Sequence, residues 1–263
     1  MLVYHYTSAA ALHNIINSRQ LWLTESSFMN DPHEIKYATK MLLSVLQNKS
    51  ARLGERASER NDKLISHFKT YVDQIDAGEE VVEDYVYLLS CAQSDQVLTL
   101  WRLYSGSKGF CLGLDLNKIL DSLVDESILA STKKILYGEQ AWRALDTVTS
   151  HLLASSDSGA SHSIALEYIP FIKDSAFEDE REYRLVVRDQ SCHPSAKVRV
   201  SPDGNLISYL PISLPASALR SITCPPGADA VATRRALNHL LGDGGRGEWS
   251  HVEIRHSKAV FRW

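Results

Sequence analysis

Phe177-Glu178-Asp179-Glu180-Arg181-Glu182-Tyr183-Arg184-Leu185-Val186-Val187 passes from an acidic cluster straight into an apolar, β-branched run, and so reads as a strand entering a core. Side chains alternate across a strand, which puts Glu180, Glu182 and Arg184 on one face and Tyr183, Leu185 and Val187 on the other. Two carboxylates and a guanidinium at the mouth of a buried strand are costly unless the charges are used or well paired. The segment is therefore the first candidate for a functional strand. Its plain alternative is a salt-bridged strand end in which Arg184 neutralises a glutamate.

Upstream of this segment, Leu2 to Thr7 predicts a first strand, and Ser8 caps a helix to about Ser18 with Leu12, Ile15 and Ile16 as its apolar stripe. Leu21 to Thr24 is a short strand. Asn30-Asp31-Pro32 is a turn that starts a helix to about Gln47, with Asp31 at the N-cap and Pro32 at the first helical position. Ser50 to Glu80 is polar with sparse Leu and Ile, which predicts one or two surface helices. Tyr85 to Cys91 is a strand by its aromatic and aliphatic content. Ser94 to Tyr104 is helical, Gly109 to Leu114 a strand, Lys133 to Tyr137 a strand, and Ala141 to Leu153 a helix. Ala154 to Ser163 is a Ser- and Gly-rich loop.

Ile164 to Lys173 is expected to be helical despite Pro170, directly before the acidic strand. Lys197 to Val200 and Leu206 to Ile212 form strands around the Pro202–Asn205 turn. Ile222 to Cys224 is a strand, Ala230 to Leu241 a helix stopped by Gly242, and His251 to Trp263 a terminal strand. Strands and helices alternate without a βαβ rhythm, which predicts one α+β domain over residues 1–263. Within it stand a helical insertion at about 48–82 and a flexible loop at about 154–163.

With 263 residues, 44% hydrophobic and 23% charged, the chain can bury a substantial core. The net charge of −4 offers no global field for nucleic acid. Such binding would need a local rim built from Arg181, Arg184, Arg188 or the Lys133-Lys134 pair. Cys91, Cys111, Cys192 and Cys224 are far apart and form no CxxC pair, so neither a disulfide framework nor a metal site is expected. The first residues lack the pattern of a signal peptide, and no apolar run approaches the ~20 residues of a membrane span. A cytoplasmic protein with no membrane partner is the expectation. No Walker A loop, GxGxxG in strand–helix context, HExxH or GxSxG is present.

Three regions bring polar groups to strand ends. His5-Tyr6-Thr7 places an imidazole and hydroxyls just before a helix N-terminus. Ser90 stands with Trp101 and Tyr104, two aromatics at i and i+3 on one helical face that can stack on a flat ring or pack in the core. The third region is the Glu180/Glu182 face.

Several blocks resemble, in order, the bacterial family known as domain of unknown function 2971. They are His5-Tyr6-Thr7, Leu21-Trp22-Leu23, Phe28 to Glu34, Leu98 to Tyr104, Gly109 to Gly113, and Glu180-Arg181-Glu182-Tyr183-Arg184. The same layout is more distantly similar to the ADP-ribosyltransferase superfamily. That resemblance implies a split, mostly antiparallel β core flanked by helices, NAD as the cofactor, and a glycosyltransferase that moves ADP-ribose onto a nucleic acid or a protein. It further implies a bacterial toxin or phage-defence effector, with an antitoxin as a partner.

Carried onto this chain, the resemblance gives His5 the contact to the adenine ribose and Glu182 the ribose hydroxyl beside the breaking bond. Ser90 or Tyr104 supports the nicotinamide side, and Glu180 orients or deprotonates the acceptor. Tyr6, Thr7 and Trp101 join the cofactor site, and Asn30 belongs to a loop over it. Positive charge builds on C1′ as the nicotinamide leaves, and a nearby carboxylate stabilises it. Two other classes stand beside this expectation: a nucleotide-binding module without turnover, and a metal-dependent nuclease using Glu180, Glu182 and Asp31.

Overall fold

A computed structural model of the chain describes residues 1–29, 34–53, 59–77, 85–105, 109–154, 167–189, 191–201, 203–242 and 247–258. The molecule is a mixed α/β structure built on a mostly antiparallel sheet. Its strands are β1 (Leu2–Thr7), β2 (Gln20–Glu25), β3 (Tyr85–Ala92), β4 (Phe110–Asp115), β5 (Ala130–Lys134), β6 (Leu136–Tyr137), β7 (Ile172–Lys173), β8 (Glu182–Asp189), β9 (Lys197–Val200), β10 (Leu206–Ser213), β11 (Leu219–Cys224) and β12 (Glu253–His256). The longer helices are α1 (Ala9–Ser18), α2 (Glu34–Leu53), α3 (Glu59–Ala77), α4 (Leu116–Asp125), α5 (Gly138–Ala154) and α6 (Ala230–Leu240).

The large sheet runs β12-β11-β4-β1-β3-β2-β10-β9, and β8 and then β5 extend it from β3. Only the β11–β12 contact in it is parallel among the described residues. β6 and β7 form a separate parallel pair.

The decisive irregularity lies on β3. Along one edge, β8 pairs with it continuously from Tyr85↔Asp189 to Ala92↔Glu182. The other edge is shared: β1 meets it at Tyr4↔Ala92, and β2 at Thr24↔Leu88 and Glu25↔Tyr87. Between those registers β1 and β2 part, leaving a notch opposite Ser90.

Alternation then sorts the side chains of the central strands. Tyr87, Leu89 and Cys91 of β3, and Leu185 and Val187 of β8, enter the main core with Val3, Leu12, Leu112, Leu116, Ile119 and Leu237. Leu88 and Val186 point the other way and pack with Ile135, Tyr137 and Phe171. Ser90, Glu182 and Arg184 share that second face by parity.

A third cluster joins Leu42 and Leu46 of α2, Phe68 and Val72 of α3, and Leu145 and Leu152 of α5. The segment expected to form surface helices is thus half docked. Leu64, Phe68 and Val72 recur every four residues, and this spacing gives α3 an apolar stripe.

Several sequence expectations need correction. Tyr168 to Phe171 is not α-helical: Ile169–Phe171 is a 3-10 turn with Pro170 inside it, and Ile172-Lys173 is strand β7. Pro170 donates no backbone hydrogen bond, which suits a short turn better than a helix interior. The stretch Lys133 to Tyr137 is broken at Ile135 into β5 and β6. Among the described residues the terminal strand is confined to Glu253–His256. Helix α4, absent from the sequence reading, buries Leu116, Ile119 and Leu123. The Asn30–Pro32 turn and most of the Ser/Gly-rich loop lie outside the described residues.

Gly113 on β4 faces Ser221 on β11, and a Cβ built at Gly113 would sit 2.3 Å from the Ser221 Oγ. Ser221 is fully buried, so neither strand has room to yield. Gly113→Ala is expected to cost about 1–3 kcal/mol by overpacking. Adding Ser221→Gly should recover most of it. Guanidinium unfolding of the two single variants and the double variant measures this coupling, and strictly additive losses would refute the clash.

Candidate functional site

The acidic segment does not enter the sheet as one straight strand. Ser175–Glu180 is a 3-10 helix capped by the Asp174 carboxylate, which accepts from the Ala176 amide at 2.8 Å. Arg181 then turns through the left-handed region at φ 45°, and β8 begins at Glu182. Glu180 and Glu182 are therefore not two positions of one strand face. They converge from a helix end and a strand start, because the Arg181 turn folds one toward the other.

What joins them is Lys173, which the sequence reading left at the end of a helix. Its ammonium donates to Glu180 Oε2 at 2.7 Å and to Glu182 Oε2 at 3.2 Å. Arg184 completes the cluster: Nε donates to Glu182 Oε1 at 2.6 Å, Nη2 to Oε2 at 3.0 Å, and Nη1 to the Pro170 carbonyl at 2.7 Å. All four side chains are buried, Arg184 completely. Two cations and two anions give a neutral cluster, and the fork-on-carboxylate geometry is the strongest form of such a pair. The Ile172-Lys173-Asp174 stretch carried the available signal, a single lysine following the apolar Ile169–Ile172 run.

Burial pushes the Glu182 carboxyl up, but the Arg184 charge and hydrogen bonds, the Lys173 charge and a hydrogen bond from Ser90 outweigh it. Its pKa falls below the ordinary 4.5, so the group is ionised at neutral pH. The Glu182 amide donates to the Tyr137 hydroxyl at 3.1 Å. Burial raises that phenol to about 12, so it stays protonated.

His5 lies across the notch. Its Nδ1 donates to the Ser90 carbonyl at 2.9 Å, which leaves Nε2 as an acceptor. Burial lowers the imidazole below 6.5 against the opposing effect of that bond, so it is neutral at pH 7. Parity places His5 on the face of Val3 and Leu112 and Glu182 on the opposite one. Ser90 lies between them: its carbonyl accepts from His5, and its side chain shares the Glu182 face and helps to lower that carboxyl's pKa.

The remaining predicted residues are placed differently. The Tyr6 hydroxyl donates to the Ser94 carbonyl at 2.9 Å and accepts from the Val97 amide at 3.0 Å, clamping the turn after β3. Trp101 is fully buried edge-on to Tyr6, with centroids 5.1 Å apart, and its indole donates to the Asp95 carbonyl. That ring is part of the core. Thr7 is buried at the end of β1 opposite Phe110. The backbone of Trp101–Ser105 forms a π-helical turn; the Tyr104 side chain and Asn30 lie outside the described residues. Of the two candidates for the middle position, Ser90 lies within the described residues, on the Glu182 face of the sheet.

Beside this cluster opens a cleft of about 590 Å³ lined by Gln93, Lys134, Tyr137, Gln140, Glu178 and Arg181, among others. Tyr137, buried in that lining, accepts from the Glu182 amide. No group of three or more His, Cys, Asp or Glu suited to a metal occurs among the described residues. The Lys173 ammonium occupies the point between Glu180 and Glu182 that a divalent cation would need. No helix among the described residues is long and apolar enough to cross a membrane.

Residues 100–185 fit the family model described as "Protein of unknown function (DUF2971)". That span starts at the π-helical turn and ends inside β8, so it takes in Lys173, Glu180, Glu182 and Arg184 but neither His5 nor Ser90. No curated protein and no solved structure matches the chain.

Removing one partner from a buried pair strands the other. Arg184→Met is expected to cost about 3–5 kcal/mol in chemical denaturation. The depressed Glu182 and His5 pKa values also set a sign for pH dependence. Both groups bind protons more readily in the unfolded chain, so stability falls as pH drops below about 6.5 for His5 and 4.5 for Glu182. His5→Gln should remove the upper part of that slope. Denaturation curves between pH 7 and pH 4 that coincide for wild type and variant would contradict this.

Proposed function

We propose that the chain is an NAD-dependent ADP-ribosyltransferase that transfers ADP-ribose to a macromolecular acceptor. The observation that carries this reading is the junction at Ser90, which ties His5 to an ionised Glu182 at the notch between β1 and β2. An ionised carboxylate is what the reaction needs, because C1′ of the ribose becomes positive as nicotinamide departs. The neutral His5 offers Nε2 as an acceptor for a ribose hydroxyl. The acceptor's nucleophile bonds to C1′ while the C1′–nicotinamide bond breaks, and Glu180 is the nearest second carboxylate to take the acceptor's proton. A role as a toxin or phage-defence effector, restrained by an antitoxin, belongs to the same proposal.

One observation favours a second reading, a nucleotide-binding module without turnover. Glu182 already receives Arg184 on both oxygens and Lys173 on one. A ribose hydroxyl must displace one of these donors. Lys173 makes the longest of the three measured contacts, so it is the donor to yield.

Isothermal titration with NAD, and nicotinamide release with protein and nucleic-acid acceptors, separate the readings. Under the transfer reading, Ser90→Ala lowers nicotinamide release about 10- to 100-fold, the loss of one hydrogen bond to a charged group. Thermal melts of the variant check that it folds. Binding of NAD without release supports the module, and absence of both binding and release defeats both readings.

A further inference from the structure

We propose that the cleft beside the Glu180–Glu182 cluster binds a nucleotide, and that this nucleotide is the acceptor unit of a nucleic acid. The word acceptor rests on the transfer reading; the binding does not. A local basic rim needed some of five cations. The fold commits Arg184 to Glu182 and Pro170, and it sets Lys133 over the rings of Tyr168 and Phe171 at 4.3 and 5.3 Å. Lys134 and Arg181 alone of the five line the cleft, and neither has a side-chain partner among the described residues.

The rest of the lining has the mixed character that a nucleotide requires. Two cations hold a phosphate. Glu178 and Asp179 stand in the same lining and, with no side-chain cation on them among the described residues, can accept from ribose hydroxyls. The carboxamides of Gln93 and Gln140 each present a donor and an acceptor, the combination that reads a base edge. A purely anionic ligand would leave the carboxylates opposed to it, and a purely cationic one the Lys134–Arg181 side.

One buried side chain of the lining adds a second, independent sign. Tyr137 is 5% exposed, and its oxygen accepts from the Glu182 amide, but its own proton has no acceptor among the described residues. A buried phenol with an unspent donor facing a cleft is a position for a ligand oxygen. The amide that Tyr137 accepts from belongs to Glu182, the residue whose carboxylate is proposed to act on the donor, so a nucleotide seated on Tyr137 is next to it. At about 590 Å³ the space falls within the ordinary range of small-ligand sites.

The test uses the full chain with a 5′-phosphorylated single-stranded oligonucleotide and with the four nucleoside monophosphates, read by calorimetry. The double variant Lys134→Gln, Arg181→Asn removes both cations; asparagine tolerates the left-handed backbone at position 181. Expected is a loss of oligonucleotide affinity of at least about tenfold and a salt dependence shallower by about one to two phosphate contacts. NAD affinity, measured in parallel, should stay within about twofold, since one lost ion contact to NAD would shift it by more. Unchanged oligonucleotide affinity, or no binding by wild type, overturns the proposal. Loss of NAD affinity together with oligonucleotide affinity moves these cations to the donor and overturns the acceptor assignment. Absence of NAD binding alone defeats the transfer reading and leaves the nucleotide cleft standing.

Discussion

A carboxylate cannot be buried at the head of β8 without cations within hydrogen-bond reach, and much of the surrounding structure follows from that requirement. Glu182 needs Arg184, two residues on along the same face of β8. It also needs Lys173, which draws β7 and the 3-10 turn at Ile169–Phe171 under the strand. Lys173 in turn binds Glu180, so the left-handed turn at Arg181 is held from both sides. Such strain in a non-glycine residue persists only where neighbouring contacts over-determine it.

The second organising feature is the parting of β1 and β2 along β3. In a continuous ladder, strand partners would occupy the whole edge. Here the edge opens at Ser90, and a side chain from β1 takes the carbonyl instead. The notch connects two faces of the sheet that alternation would otherwise keep apart. Ser90 bridges them because its backbone and its side chain point to different partners. The neutral ion cluster on one face and the neutral imidazole on the other are thereby one connected polar system, and such networks couple their members more strongly than isolated pairs do.

The ion cluster also bears on whether the protein turns over substrate. As described, Glu182 is fully satisfied, and a carboxylate in that condition is a structural anchor. It becomes a reactive one only if a ligand replaces a donor. The cleft next to Tyr137 adjoins the cluster, and Lys173 makes the longest of the measured contacts to Glu182.

Local pattern was enough for much of the secondary structure. The Ser8 cap and apolar stripe of α1, the β-branched and aromatic content of β1 and β3, and the turn between β9 and β10 act over a few residues, and each was legible in the chain. The E-x-E-Y-R block could be recognised as charged groups that needed partners. The sequence could not name the second partner, since Lys173 sits in a two-residue strand with no periodicity of its own and is brought in by tertiary packing around Pro170. Nor could it show that Glu180 leaves the strand, because nothing local marks Arg181 as left-handed. By itself, then, the sequence determined the elements and the presence of a charged strand mouth, which depend on short-range propensity and alternation. Only the tertiary structure decided the pairing of Glu182, the notch at Ser90 and the cleft beside them, because each depends on how turns and strands pack against one another and not on local propensity.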